Sequence, residues 1–316
     1  MSNLPSSVRI MEVGPRDGLQ IEKTIFSTEQ KVELVNRLVD AGLRQIEVGS
    51  FVNPKGVPQM ADSDEVFRRL PQRDGVEYHG LWLNARGLDR AVENGHVKVT
   101  GKLILTATDT FSKRNTNKDI DETLAAIPEW IAQYRRVGIE VDDLHIPAAF
   151  GCNYEGEVPV SKVVELLARG EEVMKANGCK LKRTSLADTM GWGNPEQTRR
   201  LIGAVRERWP DLQIRLHLHD TRGTALANAS AAMDLGVDEF DSSIGGLGGC
   251  PFAGNKSAAG NVCTEDLVFL CEEMGVDTGV DLEALIEVAR FAEEMVGHEL
   301  PGKLMKARSL SRYRTH

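Results

Sequence analysis

Near its C-terminal third the chain sets a cysteine at the end of a glycine run: Gly245, Gly246, Leu247, Gly248, Gly249, Cys250, Pro251 and Phe252. Four glycines in five positions disfavour a helix or strand interior, because each adds backbone entropy and offers no side chain to pack. Such a loop can move and can approach a ligand closely, and a thiol at its end is a candidate acid or base. A flexible surface turn that happens to contain a cysteine explains the segment equally well.

Other residue pairs carry chemistry more directly. His217, Leu218, His219 and Asp220 end an apolar run. In a strand, residues i and i+2 face one side, so both imidazoles point together while Leu218 packs behind. Two histidines on one face favour metal binding over two isolated core residues. Upstream, Gly14, Pro15, Arg16, Asp17, Gly18, Leu19 and Gln20 follow another apolar run. A carboxylate there can ligate a metal and a guanidinium can stabilise an oxyanion, although an Arg–Asp pair in a turn can equally be solvated. Glu47 lies between Ile46 and Val48, and a buried carboxylate needs a cation such as Arg16. Structural pairing and catalytic orientation fit it equally. Asp188 is either a rim carboxylate or a turn residue. Asn261 offers a neutral amide oxygen, or it supports the loop and caps the next helix. Together Asp17, His217, His219 and Asn261 would form a mixed N/O set with two open coordination positions, which favours Mg2+ or Mn2+ over zinc. A loop over 108–119 holds Lys113, Arg114 and Lys118. It is either solvated or a grip for phosphates such as those of coenzyme A.

These residues must be positioned by elements, and the pattern is regular. Apolar runs at 8–13, 45–48, 78–83, 102–106, 144–148, 182–186, 213–217 and 239–243 alternate with amphipathic stretches at 119–134, 161–176, 195–207, 225–235 and 265–274. In the first helix Ser27 and Gln30 form a capping box, Val32, Leu34, Val35, Leu38 and Val39 line one face, and Gly42 ends it. A last helical pattern, 282–296, follows the eighth unit. Eight βα repeats predict a (β/α)8 TIM barrel over about 8–275 with C-terminal helices over 276–316, in a single catalytic domain. The main competitor, a doubly wound sheet, lacks its glycine fingerprint after the first strand. In a barrel, active-site residues gather at the C-terminal strand ends, where all the candidates above fall.

The 316 residues are 41% hydrophobic and 27% charged, ordinary for a chain that buries a full core. A net charge of −9 argues against nucleic acid as a partner. Five cysteines without CxxC spacing suit reduced thiols in a cytoplasmic protein. No apolar run approaches the roughly 20 residues that span a bilayer.

The motifs resemble those of the 3-hydroxy-3-methylglutaryl-CoA lyase family of metal-dependent barrel lyases. The resemblance covers about residues 9–280. It rests on Glu12 through Gln20 with Glu22 and Lys23, on Ser50, Phe51 and Val52 with Pro54 and Lys55, and on Val57 through Met60. Residues 111–115, 185–191, 217–220 and 246–252 continue it, the last being the specific cysteine signature. The resemblance implies that Asp17, His217, His219 and Asn261 hold Mg2+ or Mn2+. Arg16 would bind the thioester carbonyl as it becomes an enolate, and Cys250 would serve as a mobile acid or base. Glu47 and Asp188 would orient groups or relay protons. Arg16, Gln20, Lys113 and Arg114 would contact an acyl-CoA substrate, and a homodimer is the family expectation. A Claisen-type synthase and a non-catalytic barrel are the alternatives. The interval from Cys250 to Asn261 is longer than the family's, and Asn153 follows Cys152 where a proline is usual. These departures leave the acyl group open.

Overall fold

A computed structural model of the chain describes residues 4–249 and 259–314. Eight strands carry the fold: β1 (Arg9–Glu12), β2 (Gln45–Ser50), β3 (Glu77–Leu81), β4 (Gly101–Ile104), β5 (Val141–Ile146), β6 (Arg183–Asp188), β7 (Gln213–Leu218) and β8 (Glu239–Ser242). All eight sequence expectations are met to within a few residues. The sheet order is β3-β2-β1-β8-β7-β6-β5-β4. The first strand therefore neighbours the last and every other pair is consecutive, the order of a (β/α)8 barrel. The registered pairs β1/β2, β2/β3, β4/β5, β5/β6 and β6/β7 are parallel.

The long helices also follow the sequence pattern. Thr28–Asp40 begins at Ser27, whose side chain accepts from Gln30 N while Gln30 reaches back, closing the expected capping box. Ile120–Arg136, Val160–Ala176, Pro195–Arg208, Ala225–Met233, Thr264–Glu273 and Leu282–Val296 complete the set. One expectation is corrected. Most of the stretch read as a charged loop over 108–119 is a helix, Asp109–Thr116, with Phe111 and Ser112 buried. Asp109 in its first turn and Lys113 and Arg114 in its last turn complement the helix dipole, and Asn117 closes it in the left-handed conformation. A short antiparallel hairpin, Gly151–Cys152 with Gly156–Glu157, follows β5 and had no counterpart in the sequence reading.

Two compact units divide the chain. One is centred on Val99–Phe240, and the other comprises Ser6–Lys98, Asp241–Gly249 and Ala259–His316. In the first, Leu144, Leu167, Leu186, Ile202 and Leu216 are fully buried; in the second, Leu34, Leu38, Ile46, Leu267 and Leu285 are. Among the described residues no helix is long and apolar enough to cross a membrane.

Candidate functional site

In the second unit the site begins where β1 ends. Residues Gly14–Gly18 form one tight π-type turn in which the Val13 carbonyl accepts from Arg16 N, Asp17 N and Gly18 N at 3.1, 2.7 and 3.4 Å. The turn fixes the Arg16 and Asp17 side chains next to each other. Arg16 donates from NH1 to Asp17 Oδ1 and from Nε to Glu47 Oε2, both at 2.6 Å. Burial works against the guanidinium charge, but Glu47 first and then Asp17 outweigh it and hold Arg16 above its ordinary pKa. Glu47 therefore pairs with the cation its apolar setting demanded. β2 places it there, just before a register shift between Glu47 and Gly49.

Around Asp17 two amides gather. Gln20 Nε2 donates to Oδ1 at 3.2 Å, and Asn261 Nδ2 donates to Oδ2 at 2.7 Å. Asn261 Oδ1 is buried and finds no hydrogen-bond partner among the described residues. A buried amide oxygen with nothing to bond, beside a carboxylate, suits a hard divalent ion, while Nδ2 also reaches the Leu247 carbonyl at 3.4 Å and supports the glycine loop.

Sequence reasoning missed the residue that ties this half together. Glu12, fully buried, accepts from Gly14 N at 2.8 Å, from Ile244 N at 2.9 Å and from Thr264 Oγ1 at 2.5 Å. One carboxylate thus joins the Arg16–Asp17 turn, the start of the glycine run and the helix that follows Asn261. Burial pushes its pKa up to about 7, against the three hydrogen bonds. The signal was available: a glutamate inside Ile10, Met11, Glu12, Val13 is as anomalous as Glu47 in β2. Nearby Glu265 accepts from Gly245 N at 2.9 Å and is pushed up to about 8, by burial and then by the Asp266 charge.

The glycine run is packed, which removes the surface-turn reading for its first part. Residues 244–248 are buried. Gly248 has φ +96°, and a Cβ there would lie 2.9 Å from Asn261 Nδ2 and 3.1 Å from Gly18 Cα. Glycine is needed for both the conformation and the close approach. Cys250 lies outside the described residues.

In the first unit, β7 delivers His217 and His219. Their Nε2 atoms are 3.0 Å apart and their ring centroids 5.0 Å apart, so the i, i+2 alternation does put both imidazoles on one face. On the adjacent strand Asp188 ends β6, with Ala187 in register with His217. Both of its oxygens are taken by backbone, Trp192 N at 2.7 Å and Gly193 N at 2.8 Å. Burial lifts its pKa to about 6 despite those bonds. The geometry gives Asp188 a turn-forming role at the rim. Trp192 Nε1 donates to Asn153 Oδ1 at 2.8 Å, so the residue that departs from the family's proline anchors an indole. Lys113 pairs with Asp119 at 3.3 Å, and Arg114 stacks 4.5 Å over the Tyr154 ring.

Arg16, Asp17, Gln20, Glu47 and Asn261 thus stand together in one unit, and His217, His219 and Asp188 in the other. Eight strands in barrel order, with guanidinium, carboxylate, amide and imidazole groups past their C-terminal ends, define a (β/α)8 barrel enzyme. The HMGL-like family profile matches residues 7–292, and the chain belongs to that family. It is 40% identical over 307 residues to the cytoplasmic 3-hydroxy-3-methylglutaryl-CoA lyase of Mus musculus, covering 97% of this chain and 86% of that protein. Identity to a hydroxymethylglutaryl-CoA lyase of Bacillus subtilis is 39% over 299 residues, 95% of this chain and 96% of the relative. The crystal structure of an Acinetobacter baumannii HMG-CoA lyase with coenzyme A and 3-methylmalate superposes with a TM-score of 0.86 at 37% identity, covering 98% of each chain.

Proposed function

We propose that this chain acts as one catalytic domain, a divalent-metal-dependent carbon–carbon lyase. It cleaves 3-hydroxy-3-methylglutaryl-CoA to acetoacetate and acetyl-CoA. The observation that carries the reading is the part-buried Asp17–Arg16–Glu47 chain with Asn261 beside it, in a sequence alike to such lyases over nearly its full length. Asp17, His217, His219 and Asn261 would hold Mg2+ or Mn2+, which when bound would make the substrate's tertiary hydroxyl more acidic. The Cys250 thiolate takes that hydroxyl proton. The C2–C3 bond then breaks, C3 becomes the ketone of acetoacetate, and the electron pair passes to the thioester as an enolate. Arg16, held by Glu47, donates to the enolate oxygen in a water-poor site. Cys250, carried on the glycine loop, gives the proton that C2 needs to complete acetyl-CoA. Lys113 and Arg114, with Gln20, contact the acyl-CoA. The cytoplasm is the proposed compartment and a homodimer the proposed assembly.

A close 3-hydroxyacyl-CoA analogue is the second reading, because the pocket walls set which acyl group fits. The test is to supply purified protein and Mg2+ or Mn2+ with a panel of 3-hydroxyacyl-CoAs that differ at C3 and to follow release of the keto acid. Acetoacetate from the 3-methyl substrate is expected. No cleavage of any member would overturn the lyase reading.

A further inference from the structure

We propose a second ligand site, for an organic anion, at the N-terminal ends of β1, β2 and β3. A cavity of about 590 Å3 opens there, within the range of roughly 300–1,000 Å3 that small molecules occupy. Ile10 borders it from β1, Gln45 from β2, Glu77 and Tyr78 from β3, and His96 and Lys98 from the segment after helix Ala85–Asn94. Arg16 and Asp17 lie past the opposite end of β1, and Glu47, in the middle of β2, is turned to Arg16 and does not border the cavity.

Its charge is the opposite of the chain's. Against a net charge of −9, the cavity sets Arg9, Arg44 and Lys98 around a single carboxylate, Glu77. That carboxylate is already engaged by Lys98 Nζ at 2.9 Å and His79 Nε2 at 3.3 Å. The Arg44 guanidinium is held by backbone alone in its hydrogen bonds, NH1 donating to the Val39 and Leu43 carbonyls at 3.1 and 3.4 Å. Those contacts orient the planar fork without neutralising it, which leaves it suited to a carboxylate or phosphate. Gln72 Nε2 lies 3.1 Å from His96 Nδ1. The contact fixes the His96 ring at the cavity wall, where its other nitrogen can serve a ligand. Gln45 Oε1 is buried and has no hydrogen-bond partner among the described residues. The same side chain's Nε2 donates to Glu77 Oε2 at 3.4 Å, which ties this wall to the carboxylate. Val8, Leu43 and Val280 contribute apolar wall. Cationic groups and apolar sides together match a carbon skeleton that bears an anionic group.

The test is calorimetric titration of the Mg2+-loaded protein under saturating coenzyme A, which fills the reaction end. The probes are AMP for phosphate monoesters and gluconate for hydroxycarboxylates. One equivalent of at least one probe is expected to bind. Arg44→Glu should weaken it by about tenfold or more, while Arg200→Glu, the same charge change elsewhere, leaves it unaltered. Because Arg44 is exposed, its variant should keep wild-type turnover, which reports an intact fold. AMP alone binding would assign a phosphate ester, and gluconate alone a carboxylate. No binding of either probe at about 10 mM, or binding indifferent to Arg44→Glu, overturns the proposal.

Discussion

Arg16 shows how a single side chain can be both anchored and poised. Two carboxylates compensate its charge, so removing it strands Glu47 in an apolar strand and, in the proposed role, takes a donor from the enolate. Arg16→Gln should therefore cut kcat by roughly 10²–10³, the usual loss for one transition-state donor, and should also lower the melting temperature. Rates of acetoacetate release and a thermal melt check both. His219→Ala should weaken Mn2+ binding by at least about tenfold, read by titration of bound Mn2+. Glu12 carries a pH dependence. Its folded pKa of about 7 lies above the ordinary 4.5, so the folded state holds this proton more tightly than the unfolded state. That contribution to stability is complete below about 4.5 and is lost as pH rises through 7. Glu265, at about 8, acts with the same sign. Urea unfolding of Glu12→Gln should therefore lose less stability between pH 5 and 8 than the wild type does. An unchanged slope would assign the pH dependence elsewhere.

At the scale of elements, the alternation of apolar runs made the strands legible, because a strand buried on both faces leaves a continuous hydrophobic signature. The long helices declared themselves by capping boxes and apolar stripes. Three short helices, Ser63–Arg69, Ala85–Asn94 and Asp109–Thr116, did not stand out in the sequence reading. In the last of these only Phe111 and Ser112 are buried, too few to mark an apolar stripe. Polar composition there reads as loop. The correction alters the expectation for Lys113 and Arg114, which sit on a fixed turn. Replacing both with alanine should raise the KM for the acyl-CoA a few-fold and leave kcat unchanged, measured by steady-state kinetics at low salt. Ser27→Ala removes one box partner of Thr28–Asp40 and should cost about 1 kcal/mol of stability without touching turnover.

Across the whole molecule, barrel order explains why residues far apart in sequence were assigned to one end before any contact was known. What could not be read was the pairing among them. That Asn261 reaches Asp17, and that Glu12 binds three segments at once, depends on tertiary approach, which leaves no periodic trace in the chain. Removal of divalent ions with a chelator should abolish cleavage, and Mg2+ or Mn2+ should restore it. Activity that survives exhaustive chelation would separate the reaction from the metal.

The Glu12 carboxylate meets Ile244 and Thr264, partners 232 and 252 positions downstream. On a ribosome, the Arg16–Asp17 turn emerges long before Ile244 and Thr264, and its bracket exists only once both have been made. Closing a loop of that length carries an entropic cost that the chain meets only when both partners have emerged. The nascent chain therefore carries the Arg16–Asp17 turn without its supports through most of its synthesis. A chaperone that shields the early strands would act during that interval, while the finished fold would give it nothing to hold.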